Sequence, residues 1–214
     1  MAHWSPDSSR LAVMAREPGK VWRLYLIDAD GGTPESVLNE TRNAADPGWS
    51  ADGQDLVFGR EPDPMGKEGG SHTIEIVHLA TRTTESVPSS EGMFSPRWSP
   101  DGKWIAALSL NQKSVWIYDV AKQRWKELAQ TSAADPIWTS DSKALYVHAF
   151  LAEKQPLLRI GVPNGDLHTV TDLSGFNDRA TINYFFGGLT PANEPMVQPH
   201  VGTGDLYTLD LKTR

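Results

Sequence analysis

The chain of 214 residues contains no cysteine. This excludes disulfide bridges, thiolate metal sites and thiol nucleophiles. It leaves the compartment open, because a large β domain needs no disulfides even in an oxidising space. The chain also lacks any apolar run approaching the roughly 18 residues of a membrane helix, so direct membrane insertion is not expected. Residues 1–7 show neither the basic nor the apolar region of a signal peptide.

Basic residues are the minority among the charged ones, with 20 Lys and Arg against 27 Asp and Glu and a net charge of −7. The densest basic stretch, Lys122 to Lys126, holds only Lys122, Arg124 and Lys126. A nucleic-acid surface needs clustered Lys and Arg to release counterions from phosphates. Nucleic acid is therefore not an expected partner.

What the chain does contain is an internal repeat. The segment Asp46 to Gly53 recurs as Ser95 to Gly102 and again as Asp135 to Ser142. A clipped copy, Trp4 to Ser8, opens the chain, and a degenerate copy with Leu in place of Trp is Leu189 to Asn193. The Trp-equivalent positions are 45, 49, 40 and 51 residues apart. A period of about 40 to 50 residues indicates propellers or solenoids.

Short apolar runs follow each copy and predict buried strands. These second strands are Leu11–Met14, Leu56–Phe58, Trp104–Leu108, Ala144–Val147 and Met196–Val197. Third strands are predicted at Trp22–Asp28, Thr73–Val77, Ser114–Asp119, Leu157–Ile160 and Asp205–Asp210. Last strands are predicted at Thr83–Val87, Trp125–Leu128 and Leu167–Val170. Four short strands per repeat with no helical periodicity are the pattern of a propeller blade.

The repeated motif has a physical reason for each residue type. Pro, Asp and Gly suit a tight hairpin turn, and a Trp ahead of the turn is large enough to fill the gap between adjacent blades. The Pro before the Trp suits the start of an innermost strand, because Pro is unwelcome in a central ladder. The repeated acids could form an acidic ring that attracts cations or basic peptides, but hydrogen bonding within each turn explains them more simply: Asp7, Asp52, Asp101 and Asp141.

The pattern is best kept from Pro96 to Ala106, where it resembles the repeat of TolB-like (WD40-like, PD40) β-propellers and is similar to the propellers attached to prolyl-oligopeptidase-like and Tricorn-like peptidases. The resemblance implies an all-β, single-domain chain over residues 1–214, with about five four-stranded antiparallel blades. The approximate blade bounds are 1–44, 45–93, 94–133, 134–180 and 181–214. The motif is specific for the fold and much less so for function.

If the Trp ends the innermost strand, only three residues precede Trp4, so the first blade is expected to lack that strand. The last repeat stops after its predicted third strand. Together these pieces do not complete one shared blade, which favours an arc of a larger propeller of roughly six to eight blades. A closed five-bladed ring is the alternative. Open blade edges would also favour self-association.

No catalytic, cofactor or metal site is predicted. A Gly-x-Ser-x-Gly nucleophile motif is missing, and Ser71 beside His72 would point to opposite faces of a strand. The six histidines lack zinc-ligand spacing: His3, His72, His78, His148, His168 and His200.

Three further motifs are expected to have no ligand. Asp28 to Gly32 begins like a calcium loop but has Asn39 where the twelfth-position Glu is needed, so a hairpin turn is predicted. Gly202 to Gly204 lacks a third Gly for a phosphate cradle. Asn39 to Thr41 fits a glycosylation sequon that matters only in a secretory eukaryotic setting.

Two features could still carry binding. The long loop Glu61–Ser71, between the second and third strands of blade two, is expected to project from one rim, as a binding loop or as an insertion without a role. The eight Trp could stack on sugars. A core role is simpler for those at the repeat position, as is an inter-blade role for Trp22 and Trp116 in third strands.

A complete repeat scaffold without a catalytic constellation favours a non-enzymatic module that binds a protein or peptide at a propeller face or channel mouth. The resemblance implies a bacterial, periplasmic or otherwise extracytoplasmic protein, or the sensor half of a membrane-anchored regulator. One alternative is a substrate-gating propeller of a peptidase whose catalytic domain is not in this chain. Another is a carbohydrate-binding propeller.

Overall fold

A computed structural model describes residues 2–61, 72–173 and 181–201. Its 18 strands form five antiparallel sheets, and no helix occurs in these ranges. The first sheet contains β1 (Ala2–Trp4), β2 (Arg10–Ala15), β3 (Arg23–Asp28) and β4 (Glu35–Ser36). The second contains β5 (Asn43–Trp49), β6 (Asp55–Glu61), β7 (Thr73–His78) and β8 (Thr84–Ser86). The third contains β9 (Met93–Trp98), β10 (Trp104–Ser109), β11 (Ser114–Asp119) and β12 (Arg124–Gln130). The fourth contains β13 (Ala134–Trp138), β14 (Ala144–His148), β15 (Leu157–Gly161) and β16 (Leu167–Thr171). The fifth contains β17 (Thr181–Leu189) and β18 (Pro195–Val201).

Each sheet is a meander in which consecutive strands pair, and the four complete sheets are arranged as propeller blades. The innermost strands β1, β5, β9, β13 and β17 each end at the repeat Trp or its Leu equivalent. The predicted second, third and last strands that fall in the described ranges lie in the corresponding sheet strands. Three end residues are exceptions, because Trp22 lies one residue before β3, and Thr83 and Val87 lie one residue before and after β8. The described ranges contain no helix of the length and apolarity that crossing a membrane requires.

The core lies between the blades, since β6, β10 and β14, the second strands of the second, third and fourth sheets, are buried on both faces. Leu56 and Phe58 of β6 pack toward the first sheet, whereas Val57 between them packs toward the third. In β10, Ile105 faces the second sheet and Ala106 the fourth. Successive side chains of a strand point to opposite faces, so a strand buried on both faces is a continuous apolar run rather than an alternating one.

The repeat turns have the same hydrogen bonds in all four complete blades. In the second blade, Asp52 Oδ1 accepts from Ser50 Oγ at 2.7 Å and from the backbone N–H of Gln54 at 3.1 Å. The Ser50 hydroxyl oxygen in turn accepts from the N–H of Asp55 at 3.0 Å. The same pattern surrounds the other three repeat acids, Asp7, Asp101 and Asp141. Local turn bonding therefore accounts for these carboxylates, as the sequence indicates.

Neighbouring turns also touch across blades. The N–H of Asp101 donates to Ser142 Oγ of the next turn at 3.0 Å. The N–H of Ser140 donates to Asn193 Oδ1 at 2.9 Å. The second bond links the fourth sheet to the two-stranded fifth sheet, which therefore packs against its neighbour as the blades do.

Two expectations about the first blade are wrong. Three residues suffice for an innermost strand, because Ala2–Trp4 pairs with β2 and completes a four-stranded sheet. Trp4 does not lie between sheets: it is 54% exposed, whereas Trp49 and Trp138 are each 8% exposed. No sheet of the described residues packs on the outer face of the first blade, so nothing covers this indole. Trp98 does pack between the second and third sheets.

Candidate functional site

The innermost strands of all five sheets border one cavity of about 480 Å³. It lies at the Trp ends of these strands, and its walls are mainly apolar, with Trp4, Trp49, Trp98 and Trp138 among them. Strands from successive sheets can share one cavity only if they surround a common axis. This space is the central channel of the propeller, and its lining is the first place to look for function.

A backbone irregularity repeats along the channel wall. The residue before the repeat Pro has a positive φ in three consecutive blades, 60° at Asp46, 53° at Ser95 and 50° at Asp135. At each of these places, two successive paired positions are three residues apart on the innermost strand but only two residues apart on the second strand of the sheet. Such a β-bulge changes the direction of a side chain and is common beside functional sites. Here three bulges determine the direction of the side chains of Asp46, Ser95 and Asp135, which occupy the same repeat position.

Arg97 connects two blades inside the channel wall. Its Nη2 lies 3.0 Å from Asp46 Oδ1, and Nη1 donates to the Pro96 carbonyl at 2.8 Å. The side chains of Arg97 and Asp46 are only 9% and 17% exposed. Gly48 makes room for this contact, because a Cβ there would lie 3.2 Å from the Pro96 carbonyl oxygen.

Burial and the charge of Arg97 together set the protonation of Asp46 and His3. Burial alone would raise the pKa of Asp46, but the charge of Arg97 and hydrogen bonds from Ser95 and Arg97 hold it below its usual range. Burial lowers the pKa of His3 to about 4, and the positive charge of Arg97 acts in the same direction. His3 is therefore a neutral imidazole at pH 7.

A second cavity, of about 300 Å³, lies at the opposite end of the innermost strands. Asp46, Asp135, His148, Phe94 and Phe150 are among its lining residues. Burial raises the pKa of Asp135, against the influence of Arg97, and burial lowers the pKa of His148, against the influence of Asp135. The cavity combines a carboxylate that lies partly out of water with a neutral His and two aromatic rings.

The histidines and acids that the sequence analysis considered as metal ligands are not brought together in one site. His78 pairs with Asp55 on an outer strand at 2.8 Å, and His168 is exposed. Within the described ranges, no group of three or more His, Asp or Glu could hold a metal ion. Asp28 to Gly32 forms the turn between β3 and β4, as the sequence predicts.

Other singled-out features have different outcomes. Most of the long loop, including Ser71, lies outside the described ranges, because these leave out residues 62–71. The same holds for residues 202–214, which contain Gly202 to Gly204 and the strand predicted at 205–210. The side chain of His200 is also outside the described part of the structure. Trp116 and Trp125 pack against the core between the second and third sheets, and Trp104 packs against the core between the third and fourth.

Sequence reasoning missed Arg97, Asp46, Asp135 and His148. A usable signal was present, because Asp46, Ser95 and Asp135 stand at the same place, three residues before the repeat Trp. Three polar residues directly before a Pro in a strand that faces the channel indicate a polar channel lining. The partner of Asp46 belongs to the next blade and to a different repeat position, so one repeat alone could not reveal it.

No protein-family model matches the chain. The Tol-Pal system protein TolB of Francisella tularensis subsp. holarctica is 33% identical over 116 residues, which cover 51% of this chain and 25% of that protein. The chain thus spans about a quarter of the length of the curated relatives it matches.

Solved structures show the same fold over more of the chain. TolB from Acinetobacter baumannii superposes with a TM-score of 0.70 and 23% identity, covering 92% of this chain and 48% of that one. Two enzymes of known structure are also similar to this chain in fold. An oligogalacturonate lyase in complex with manganese has a TM-score of 0.60 at 13% identity, covering 90% and 56% of the two chains. A prolyl endopeptidase has a TM-score of 0.58 at 17% identity, covering 87% and 30%. The repeats of this chain are similar to those of TolB, and its four complete sheets have the fold of four blades of a β-propeller.

Proposed function

We propose that this chain is part of a non-catalytic propeller that binds a protein or peptide at the mouth of its channel. The observation that carries the proposal is the 300 Å³ cavity at one end of the innermost strands, where bulges set polar side chains beside aromatic ones. Concave sites with a few placed polar groups among apolar walls are typical of binding pockets. The similarity to a protein named for the Tol-Pal system supports a bacterial, periplasmic or otherwise extracytoplasmic protein.

Site-specific photocrosslinking tests this function. A photoreactive amino acid replaces Phe150, which lines the cavity, in the protein as cells produce it. The matched control carries the same group at Thr169, which is exposed on the outermost strand β16. We expect one discrete protein or peptide adduct from position 150 and none from position 169. Equal labelling at both positions, or no adduct at 150, would contradict binding at this mouth.

We also propose that the chain is one domain, an arc of about five blades from a larger propeller. The indoles of Trp49 and Trp138 each donate to a carbonyl of the preceding innermost strand, at His3 and Arg97, both at 2.9 Å. Trp4 occupies the same repeat position, yet no described sheet offers it a carbonyl. The outer face of the first blade therefore carries the side chain of a blade that packs against another, without such a neighbour among the described residues. Concentration-dependent self-association of the 214-residue chain, reduced by Trp4→Gln, is the expected result in analytical ultracentrifugation.

A peptidase propeller is the second candidate, favoured by the similarity to a prolyl endopeptidase. In that case a serine hydrolase domain would adjoin these blades, and the channel would admit its substrates. A fluorophosphonate probe applied to the full protein in cells distinguishes the two functions. Covalent labelling would support the peptidase, whereas a protein that stays unlabelled and gives the Phe150 adduct would support the binding module.

A further inference from the structure

The cavity that contains Asp135 has an unbalanced charge. Of its two carboxylates, Asp46 is neutralised by Arg97 at 3.0 Å. For Asp135, the described residues provide neither a hydrogen bond nor an ion pair. His148, on the next strand, is buried and has a lowered pKa, so it is neutral at pH 7 and contributes no positive charge. One negative charge is therefore left facing the cavity.

The backbone holds Asp135 in this position. Its φ of 50° belongs to a bulge, and the equivalent residues of the two preceding blades have the same conformation. Such conformations cost energy and persist where the surrounding structure enforces them. The carboxylate is thus fixed at the cavity wall before any ligand arrives, which reduces the entropy lost on binding.

The other walls suit a cation as well. Phe94 and Phe150 line the same space, and the ring of Phe150 lies 6.3 Å from that of His148, at an angle of 56°. Aromatic faces attract cations through their quadrupole, and a guanidinium also stacks on them. A volume of about 300 Å³ is at the lower end of ligand pockets, which fits one side chain better than a folded segment.

We propose that this cavity receives one basic side chain of the bound protein or peptide, with Asp135 as its counter-ion and Phe94 and Phe150 as its walls. Arginine is favoured over lysine, because its planar guanidinium can bond both carboxylate oxygens while it stacks on a ring. The inference rests on the proposed binding function and adds the chemistry that the partner must present.

The test uses N-acetyl-arginine methylamide as the probe and the uncharged N-acetyl-citrulline methylamide as its isostere. Binding to the isotope-labelled chain is followed by NMR through the side-chain amide of Gln112, which lines the cavity. Citrulline should bind at least about tenfold more weakly, because charge-assisted hydrogen bonds are roughly twice as strong as neutral ones. Asp135→Asn should weaken arginine binding about tenfold, and it should fold because Asn tolerates positive φ.

Asp28→Asn is the matched control, since it removes the same charge from an exposed position outside the cavity. It should leave arginine binding unchanged. Equal binding of both probes, or equal losses in the two variants, would overturn the inference.

The photocrosslink separates this inference from the function itself. A Phe150 adduct that survives Asp135→Asn and high salt would keep the binding function and refute the basic side chain. Specific arginine binding without any cellular adduct would support the site for a basic side chain and refute the proposed binding of a cellular protein or peptide.

Discussion

Removing the guanidinium of Arg97 should destabilise the propeller far more than removing a surface cation. Arg97→Met keeps most of the side-chain volume but leaves the buried carboxylate of Asp46 without its partner at 3.0 Å. Breaking a buried pair by deleting one member costs about 3 to 5 kcal/mol. Since Asp46 is still 17% exposed, we expect the lower end, about 3 kcal/mol in the free energy of unfolding. Urea denaturation followed by Trp fluorescence measures it.

The control and a double-mutant cycle sharpen this prediction. Lys103→Met removes one cation from a surface pair with Asp101, and because Lys103 is 73% exposed, the cost should stay below about 1 kcal/mol. Asp46→Asn alone should cost about 1 to 2 kcal/mol, because Arg97 keeps its bond to the Pro96 carbonyl. The double variant should lose less than the sum of the two single losses, by about 1 to 3 kcal/mol.

The pH dependence has a defined sign. In the natural protein the folded-state pKa of Asp46 is lowered, so its contribution to stability is present above the unfolded pKa of 3.8 and is lost as the pH falls through the folded value. In Arg97→Met, the charge and the hydrogen bond of Arg97 no longer oppose the effect of burial, so the pKa of Asp46 rises. Protonation then relieves the buried charge, so the difference between the two proteins should shrink as the pH falls toward 4. Additive single losses, or an Arg97→Met variant within about 0.5 kcal/mol of the natural protein, would refute the argument.

Three further outcomes are expected in the same unfolding assay. Trp49→Phe should lose about 1 kcal/mol with its indole hydrogen bond to the preceding blade, and the matched Trp4→Phe should lose nearly nothing; equal losses would contradict the inter-blade role. Gly48→Ala should cost about 1 to 3 kcal/mol, because its Cβ would lie 3.2 Å from a backbone carbonyl of β9. Gly59→Ala should be tolerated, since its nearest neighbour is 3.7 Å away, and a neutral Gly48→Ala would refute the close approach. Because the pKa of His3 falls from 6.5 to about 4 on folding, its contribution to stability is present above pH 6.5 and is lost as the pH falls toward 4. About 2 kcal/mol should be lost between pH 7 and 4.5; a His3→Gln variant with the same loss would exclude His3 as the cause.

Much of the fold could be predicted because its main determinants are local. Each of the four complete repeats has a turn with Ser or Thr, Asp and a residue of positive φ, followed by an apolar run, and these features fix where strands begin and end. The innermost strand before Trp49 and the second strand around Val57 lie where the sequence indicates. The exposure of Trp4 could not be predicted from its own repeat, because burial there depends on a neighbouring blade.

The candidate site is not local, and for that reason it was missed. Arg97 stands one residue before its Trp, whereas its partner Asp46 stands three residues before the Trp of the preceding blade. A search for repeat patterns compares equivalent positions of the repeats, so it does not reveal a contact between Arg97 and Asp46, which stand at different repeat positions. Asp135 is similarly inconspicuous, since its importance comes from the bulge and from the strand beside it. Contacts between repeats follow from the curvature of the propeller, which no single repeat encodes.

The channel wall shows how one repeat can build a scaffold and a specific site together. Directly before the repeat Trp, the five innermost strands carry different residues: His3, Gly48, Arg97, Ile137 and Gly188. The turn positions nearby hardly vary among the complete blades, because they make the same local hydrogen bonds in each. Variation is therefore tolerated where side chains face the channel, and uniformity is needed where turns and blades pack. If this division is physical, exchanging a complete turn between blades should leave stability nearly unchanged. Exchanging Arg97 with Gly48 should instead break the buried pair and place a side chain against the Pro96 carbonyl.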